Sequence, residues 1–156
     1  MNSAIFDAVF RNDFELLASL IDAGADVNER GDQQRTPLIH AVIEGNDRTA
    51  ELLLQRGADP DLQDNNGFTA LHFAAQNFQV NATQMLIESG AMVDISDKYG
   101  NTPLWRAVYN SQGRGELIGL LLHFHADPHR KNLSGVSPID LAKTIGNYDL
   151  AQFFNT

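Results

Sequence analysis

The chain has no cysteine, one tryptophan and five prolines in 156 residues. Without thiols there is no disulfide and no thiolate metal site, although the redox compartment stays undetermined. Long apolar runs are also missing. The longest, around Leu117 to Leu122, is far too short to span a bilayer. The first residues, Met1-Asn2-Ser3-Ala4-Ile5-Phe6-Asp7, carry no basic start and meet an acid early, unlike a secretion signal or transit peptide. A soluble cytoplasmic protein with no membrane contact is the expectation. Positive charge is scarce too: eleven Lys and Arg against twenty Asp and Glu leave a formal charge of −9. From Gly57 to Asp97 there are six acids and no Lys or Arg. Such a field repels phosphate backbones and attracts basic partners, which argues against nucleic acid as a ligand. Nor is there a glycine-rich phosphate loop, a Gly-x-Ser-x-Gly or a His-Glu-x-x-His. Paired carboxylates such as Asp59 and Asp61 fall in turns, where solvation leaves them untuned for acid–base work. The expectation is no catalysis and no cofactor.

What the chain does have is order at long range. Thr36-Pro37-Leu38, Thr69-Ala70-Leu71 and Thr102-Pro103-Leu104 lie 33 residues apart, and Ser137-Pro138-Ile139 follows after 35. A second marker keeps step: Gly24-Ala25-Asp26, Gly57-Ala58-Asp59, Gly90-Ala91-Met92 and His125-Ala126-Asp127, each alanine 11 residues before the next Thr or Ser. Five residues beyond each Thr or Ser stand Ala41, Ala74, Ala107 and Ala142, and one period back from Thr36 gives Ser3 and then Ala8. A fixed period of this size means that each unit is one small element unable to bury its apolar face alone, so stability comes from stacking neighbours. The spacing predicts a single all-α domain over 1–156, an elongated solenoid of about five units near 1–31, 32–63, 64–96, 97–131 and 132–156. The first and last units are its caps.

Within a unit, Asp64-Asn65-Asn66-Gly67 is a turn whose glycine accepts positive φ, and Lys98-Tyr99-Gly100 and Leu133-Ser134-Gly135 repeat that grammar. The Thr or Ser hydroxyl then caps a first helix, with Pro in its first turn where a missing N–H costs nothing. Thr69 keeps the cap but is followed by Ala70. The recurring alanine lets helices approach closely, and Val42, Ala75 and Val108 extend that packed face. A reversal such as Gly45-Asn46-Asp47 leads into a second helix with apolar runs: Leu16-Leu17 with Leu20-Ile21, Leu52-Leu53-Leu54, Met85-Leu86-Ile87 and Leu120-Leu121-Leu122. All of these read as core. Gly24, Gly57 and Gly90 stop the second helix as left-handed caps.

Turn, helix, reversal, helix and glycine stop in 33 residues, headed by Thr-Pro-Leu with Leu71-His72 as the fuller form, resemble the ankyrin repeat. That resemblance implies helix-turn-helix units joined by β-hairpin-like turns. Departures from its pattern are specific. The head histidine occurs only as His72, its place taken by Ile39, Trp105 and Asp140, which leaves its polar tie in question there. Gln34 replaces the first turn glycine, His125 replaces a helix-stop glycine, and two extra residues around Ser111 to Gly115 lengthen one reversal. A short last helix near Tyr148 to Phe154 ends in the apolar pair Phe153-Phe154.

The resemblance also implies a function: binding of another protein through turn tips and the exposed face of the first helices, as an adaptor or inhibitor, by a chain that is a monomer when unbound. Residues four, seven and eight places after each Thr or Ser share one helix side. Together with the tips, and with Trp105 one place before Arg106, they give Arg35, Phe68, Phe73, Gln76, Asn77, Tyr99, Trp105, Arg106, Tyr109 and Asn110 as partner-binding candidates, an aromatic and arginine-rich set of the kind that dominates interface cores. Phe73 and Trp105 read equally well as gap fillers between units. Acidity and small size admit a narrower version, an immunity or antitoxin-type inhibitor of a basic toxin enzyme. A rival class rests on His123, His125 and His129, three imidazoles within seven residues beside Asp127. They have zinc or nickel donor chemistry, but they coincide with a helix end where surface histidine is the simpler reading.

Overall fold

The computed structural model describes residues 3–145 and 149–154. Among these residues the chain forms helices without strands, arranged as antiparallel pairs: α1 (Ala4–Phe10) with α2 (Phe14–Asp22), α3 (Pro37–Ile43) with α4 (Asp47–Gln55), α5 (Ala70–Gln76) with α6 (Val80–Glu88), and α7 (Pro103–Asn110) with α8 (Glu116–His123). α9 (Pro138–Thr144) follows, and then a 3₁₀ segment at Leu150–Phe154.

Each first helix starts as its sequence dictates. Thr36, Thr69, Thr102 and Ser137 accept the amides of Ile39, His72, Trp105 and Asp140 at 3.2 to 3.4 Å. Each such cap contributes about 1 kcal/mol. Ser3 caps α1 without a side-chain bond of that kind; its hydroxyl instead donates to Glu29 at 2.8 Å. The second helices end at Gly24, Gly57 and Gly90, whose φ values of 96, 86 and 96° are left-handed. His125 holds the same role with φ of 64°, so the missing glycine is met by a strained imidazole residue.

Stacking is what fills the core. α1 packs on α3, α3 on α5, α5 on α7 and α7 on α9, while α4 packs on α6 and α6 on α8. Ala8, Ala41, Ala74, Ala107 and Ala142 are all at most 2% exposed, since any larger side chain there would hold the first helices apart. Leu17, Leu53, Leu86 and Leu121 are fully buried. Leu16 departs from its expected core place and is 41% exposed, because among the described residues no helix pair precedes α2 to cover it. Phe153 and Phe154 are half-buried against the core, and a Cβ on Gly115 would lie 2.1 Å from the Phe153 ring. The apolar end therefore docks largely on its own chain. Of the expected last helix, Leu150–Phe154 is 3₁₀, and Tyr148 lies outside the described residues.

Hairpin-like bonds close the turns: Gly31 N to Arg35 O, Asp64 N to Phe68 O, Asp97 N to Asn101 O and Asn132 N to Val136 O, at 2.8 to 3.1 Å. The first turn, lacking its glycine, places Gln33 and Gln34 in the left-handed region at φ of 56 and 59°.

Candidate functional site

The turn tips are shaped by an Asp or Asn at their first corner. Asp64 Oδ1 accepts the amides of Asn66 (2.8 Å) and Phe68 (3.0 Å), Asp97 Oδ1 those of Tyr99 (2.8 Å) and Asn101 (2.9 Å), and Asn132 Oδ1 those of Ser134 and Val136 (both 3.0 Å). A short carboxylate or amide reaches its own backbone this way, which is why such residues favour turns. Each tip then hangs on the one before it. The amides of Asn65, Lys98 and Leu133 donate to the carbonyls of Gln33, Asn66 and Tyr99 at 2.8, 3.0 and 3.0 Å.

The second oxygens of two of these carboxylates hold arginines. Arg35 Nε donates to Asp64 Oδ2 at 3.4 Å, and the Arg106 guanidinium to Asp97 Oδ2, with both Asp side chains fully buried. Burial pushes the Asp97 carboxyl up, but the Arg106 hydrogen bond and the amides of Asn101 and Tyr99 outweigh it and hold it below the usual carboxylate range. Fixed in this way, the guanidinium groups lie on rings. Arg35 is 5.1 Å from the centre of Phe73, and Arg106 is 4.5 Å from that of Phe68 and 5.8 Å from that of Trp105. Phe68 is 5.2 Å from Phe73, and Trp105 stacks on Tyr109 at 5.3 Å with 14° between the planes. Arg35, Phe73, Phe68, Arg106, Trp105 and Tyr109 thus form one continuous series from the first tip to the end of α7. Each cation–ring contact contributes about 0.5–2 kcal/mol, more where it is desolvated.

Beneath the series lies His72. Its Nδ1 accepts the Thr69 amide at 3.1 Å, which leaves Nε2–H to donate to Asn101 O at 3.1 Å, across to the next tip. Burial lowers its pKa to about 4, over the opposing pull of the Asn101 carbonyl and Asp97, so the ring is neutral and structural. Asp140 restores part of that tie within its own helix by accepting from the Ser137 amide and hydroxyl at 3.2 and 2.7 Å. Ile39 has no polar atom to do so. Among the described residues neither the buried Trp105 Nε1 nor Arg106 Nε has a hydrogen-bond partner.

These helix pairs, capped by Thr or Ser and laced tip to tip every 33 to 35 residues, are matched over residues 2–64 and 44–132 by the family model for ankyrin repeats (3 copies). The chain belongs to the ankyrin-repeat family. Ankyrin repeats are in general protein–protein interaction modules. No curated protein matches the chain.

In this ankyrin chain the predicted residues do not all occupy one layer. Tyr109 and Tyr99 project to solvent, 61% and 63% exposed. Arg35, Phe68, Trp105 and Arg106 are half-buried below them. Phe73 is only 8% exposed, so of its two readings the packing one describes it: it supports the face from beneath. Asn110 donates from Nδ2 to Arg106 O at 2.9 Å and fixes the end of α7. Gln76 and Asn77 close α5, the first half-buried and the second exposed, and among the described residues no side-chain bond joins them or Tyr99 to the ring series. Sequence reasoning missed Leu133, an apolar side chain 80% exposed at a tip. Its signal was present, since the matching tip positions carry the polar Asn65 and Lys98. It also missed Asp64 and Asp97, whose 33-residue spacing marks them as turn builders. His123, His125 and His129 are all exposed, and among the described residues no three His, Asp or Glu side chains converge to hold a metal ion. Among the same residues no helix is long and apolar enough to cross a membrane.

Proposed function

We propose that the face made by α5, α7 and their tips binds a protein partner, with Tyr109 and Tyr99 as the leading contacts and the chain acting as an adaptor or inhibitor. The observation that carries this reading is the ring–cation series itself. Two tyrosines stand more than 60% exposed on a platform already fixed by buried carboxylates. Rigid aromatic anchors lose little conformational freedom on binding, so more of the contact energy remains as affinity. Both arginines of the platform are answered by Asp64 and Asp97, and their role is to hold rings. The chain's negative field favours encounter with a partner that carries basic surface elsewhere.

Photo-crosslinkers placed at the exposed Asn77, at the end of α5, and at Glu51 on α4 separate this face from the opposite one. Capture from position 77, lost in Tyr99→Ala with Tyr109→Ala while the thermal transition stays within about 0.5 kcal/mol, is expected. Capture only from position 51 would remove the proposed face.

A further inference from the structure

Resting on the reading of the tips as part of a protein-binding surface, we infer that the corner formed by Lys98, Tyr99, Lys131 and Leu133 takes an acidic segment of the partner that carries an apolar or aromatic side chain. Leu133 is 80% and Tyr99 63% exposed, and the two are joined through the backbone, Leu133 N donating to Tyr99 O at 3.0 Å. Gly100 keeps the two tips in contact: with φ of 79°, it would place a Cβ 2.8 Å from Leu133 N and 3.1 Å from the Asn132 Cα. An apolar pair is thus set at fixed separation on an otherwise polar ridge. Exposed apolar side chains fixed in this way mark a contact surface more often than scattered ones.

Charge selects the occupant. The chain is strongly acidic overall, yet the carboxylates of this corner are already engaged. Asp97 is buried on Arg106 and on two tip amides, and Asp140, whose charge Lys131 feels, is bound by the Ser137 hydroxyl and amide. Lys98 and Lys131 are exposed, and among the described residues neither takes part in an ion pair. Fields are screened within about 8–10 Å in salt, so what a docked segment meets is this local cationic corner and not the distant net charge.

The test titrates the full ¹⁵N-labelled chain with two synthetic heptapeptides, each a phenylalanine flanked on both sides by Asp and Glu in one and by Lys in the other. The acidic probe is expected to shift amides of 98–100 and 132–135, with an affinity that falls as salt rises. Leu133→Ser weakens it about tenfold, and Lys98→Glu with Lys131→Glu abolishes it, all without moving the thermal transition because these side chains are exposed. Tip shifts from the lysine probe, shifts from the acidic probe elsewhere or nowhere, or full affinity in Leu133→Ser would each overturn the assignment. None of those results bears on crosslinking from position 77, so the wider protein-binding reading stands or falls separately.

Discussion

The same repeat position behaves differently at the start of the stack and within it. Leu53, Leu86 and Leu121 occupy the place that Leu20 holds in α2, and Thr49, Ala82 and Leu117 the place of Leu16. The interior residues are at most 3% exposed, whereas Leu20 is half-buried and Leu16 is 41% exposed. Ala4 is exposed where Pro37, Ala70 and Pro103 are buried. At the other end, Lys143 stands where Val42, Ala75 and Val108 meet the following helix, and it is exposed. A charge closes α9, while α2 opens the stack with leucine. Burial is therefore set by the neighbouring pair and not by the residue, as expected when each unit borrows half its core.

The sharpest way to break that contrast is to truncate the same position twice. Leu53→Ala leaves a cavity between packed pairs and is expected to cost roughly 2–5 kcal/mol in urea denaturation, whereas Leu20→Ala, lined on one side only, should cost about half as much. Equal losses would mean that the preceding pair contributes nothing to interior burial.

A comparison of similar size separates α5 from α3. The His72 pKa is lowered, so folding favours its neutral form. Its contribution is fully present above the ordinary value of 6.5 and is lost as pH falls from there towards about 4, where the folded protein also takes the proton. The loss amounts to about 3 kcal/mol at most. His72→Ile, which copies what Ile39 does in α3, should flatten the stability profile between pH 7 and pH 4 in urea titrations. An unchanged slope would show that other groups carry it.

The fold was legible in the sequence almost throughout because its signals are local and repeated. The caps at Thr36, Thr69, Thr102 and Ser137, the alanine five residues on and the glycine stops are each fixed by backbone chemistry within a few residues. What escaped depends on neighbours far along the chain. Leu16 carries the apolar pattern of a core residue, and it is exposed because among the described residues no pair packs against it. In the candidate site, the aromatic and arginine members were visible from helical spacing. Their layering was not, since Phe73 and Tyr109 fall at the same register as Arg106 and Gln76 in neighbouring helices, and sequence says nothing about which ring lies beneath. The buried role of Asp64 and Asp97 was hidden because a turn aspartate is ordinarily solvated.

Two tip glycines with nearly equal φ allow a finer comparison between an enclosed tip and an open one. Gly100 and Gly135 have φ of 79 and 77°, but a Cβ on Gly100 meets the Leu133 backbone while one on Gly135 meets no described residue within 4 Å. Alanine at Gly135 should cost about 1 kcal/mol from the left-handed backbone alone. Alanine at Gly100 should cost roughly 1–3 kcal/mol more, because backbone must move to admit it. Thermal denaturation of the two variants measures the difference directly, and identical losses would show that tip-to-tip contact contributes little.

The smallest expected effect is at the opening face. Leu16→Ser removes a side chain that is already 41% exposed, and serine in a helix is only slightly less favourable than leucine, so stability should change by no more than about 0.5 kcal/mol. The matching change in α8, Leu117→Ser, buries a hydroxyl at a fully enclosed position and should be many times more damaging. A loss above about 1 kcal/mol for Leu16→Ser, accompanied by a lower mass in light scattering, would mean that a second copy covers this face in solution. The difference between the two ends of the stack would then belong to the single chain and not to the protein as it assembles.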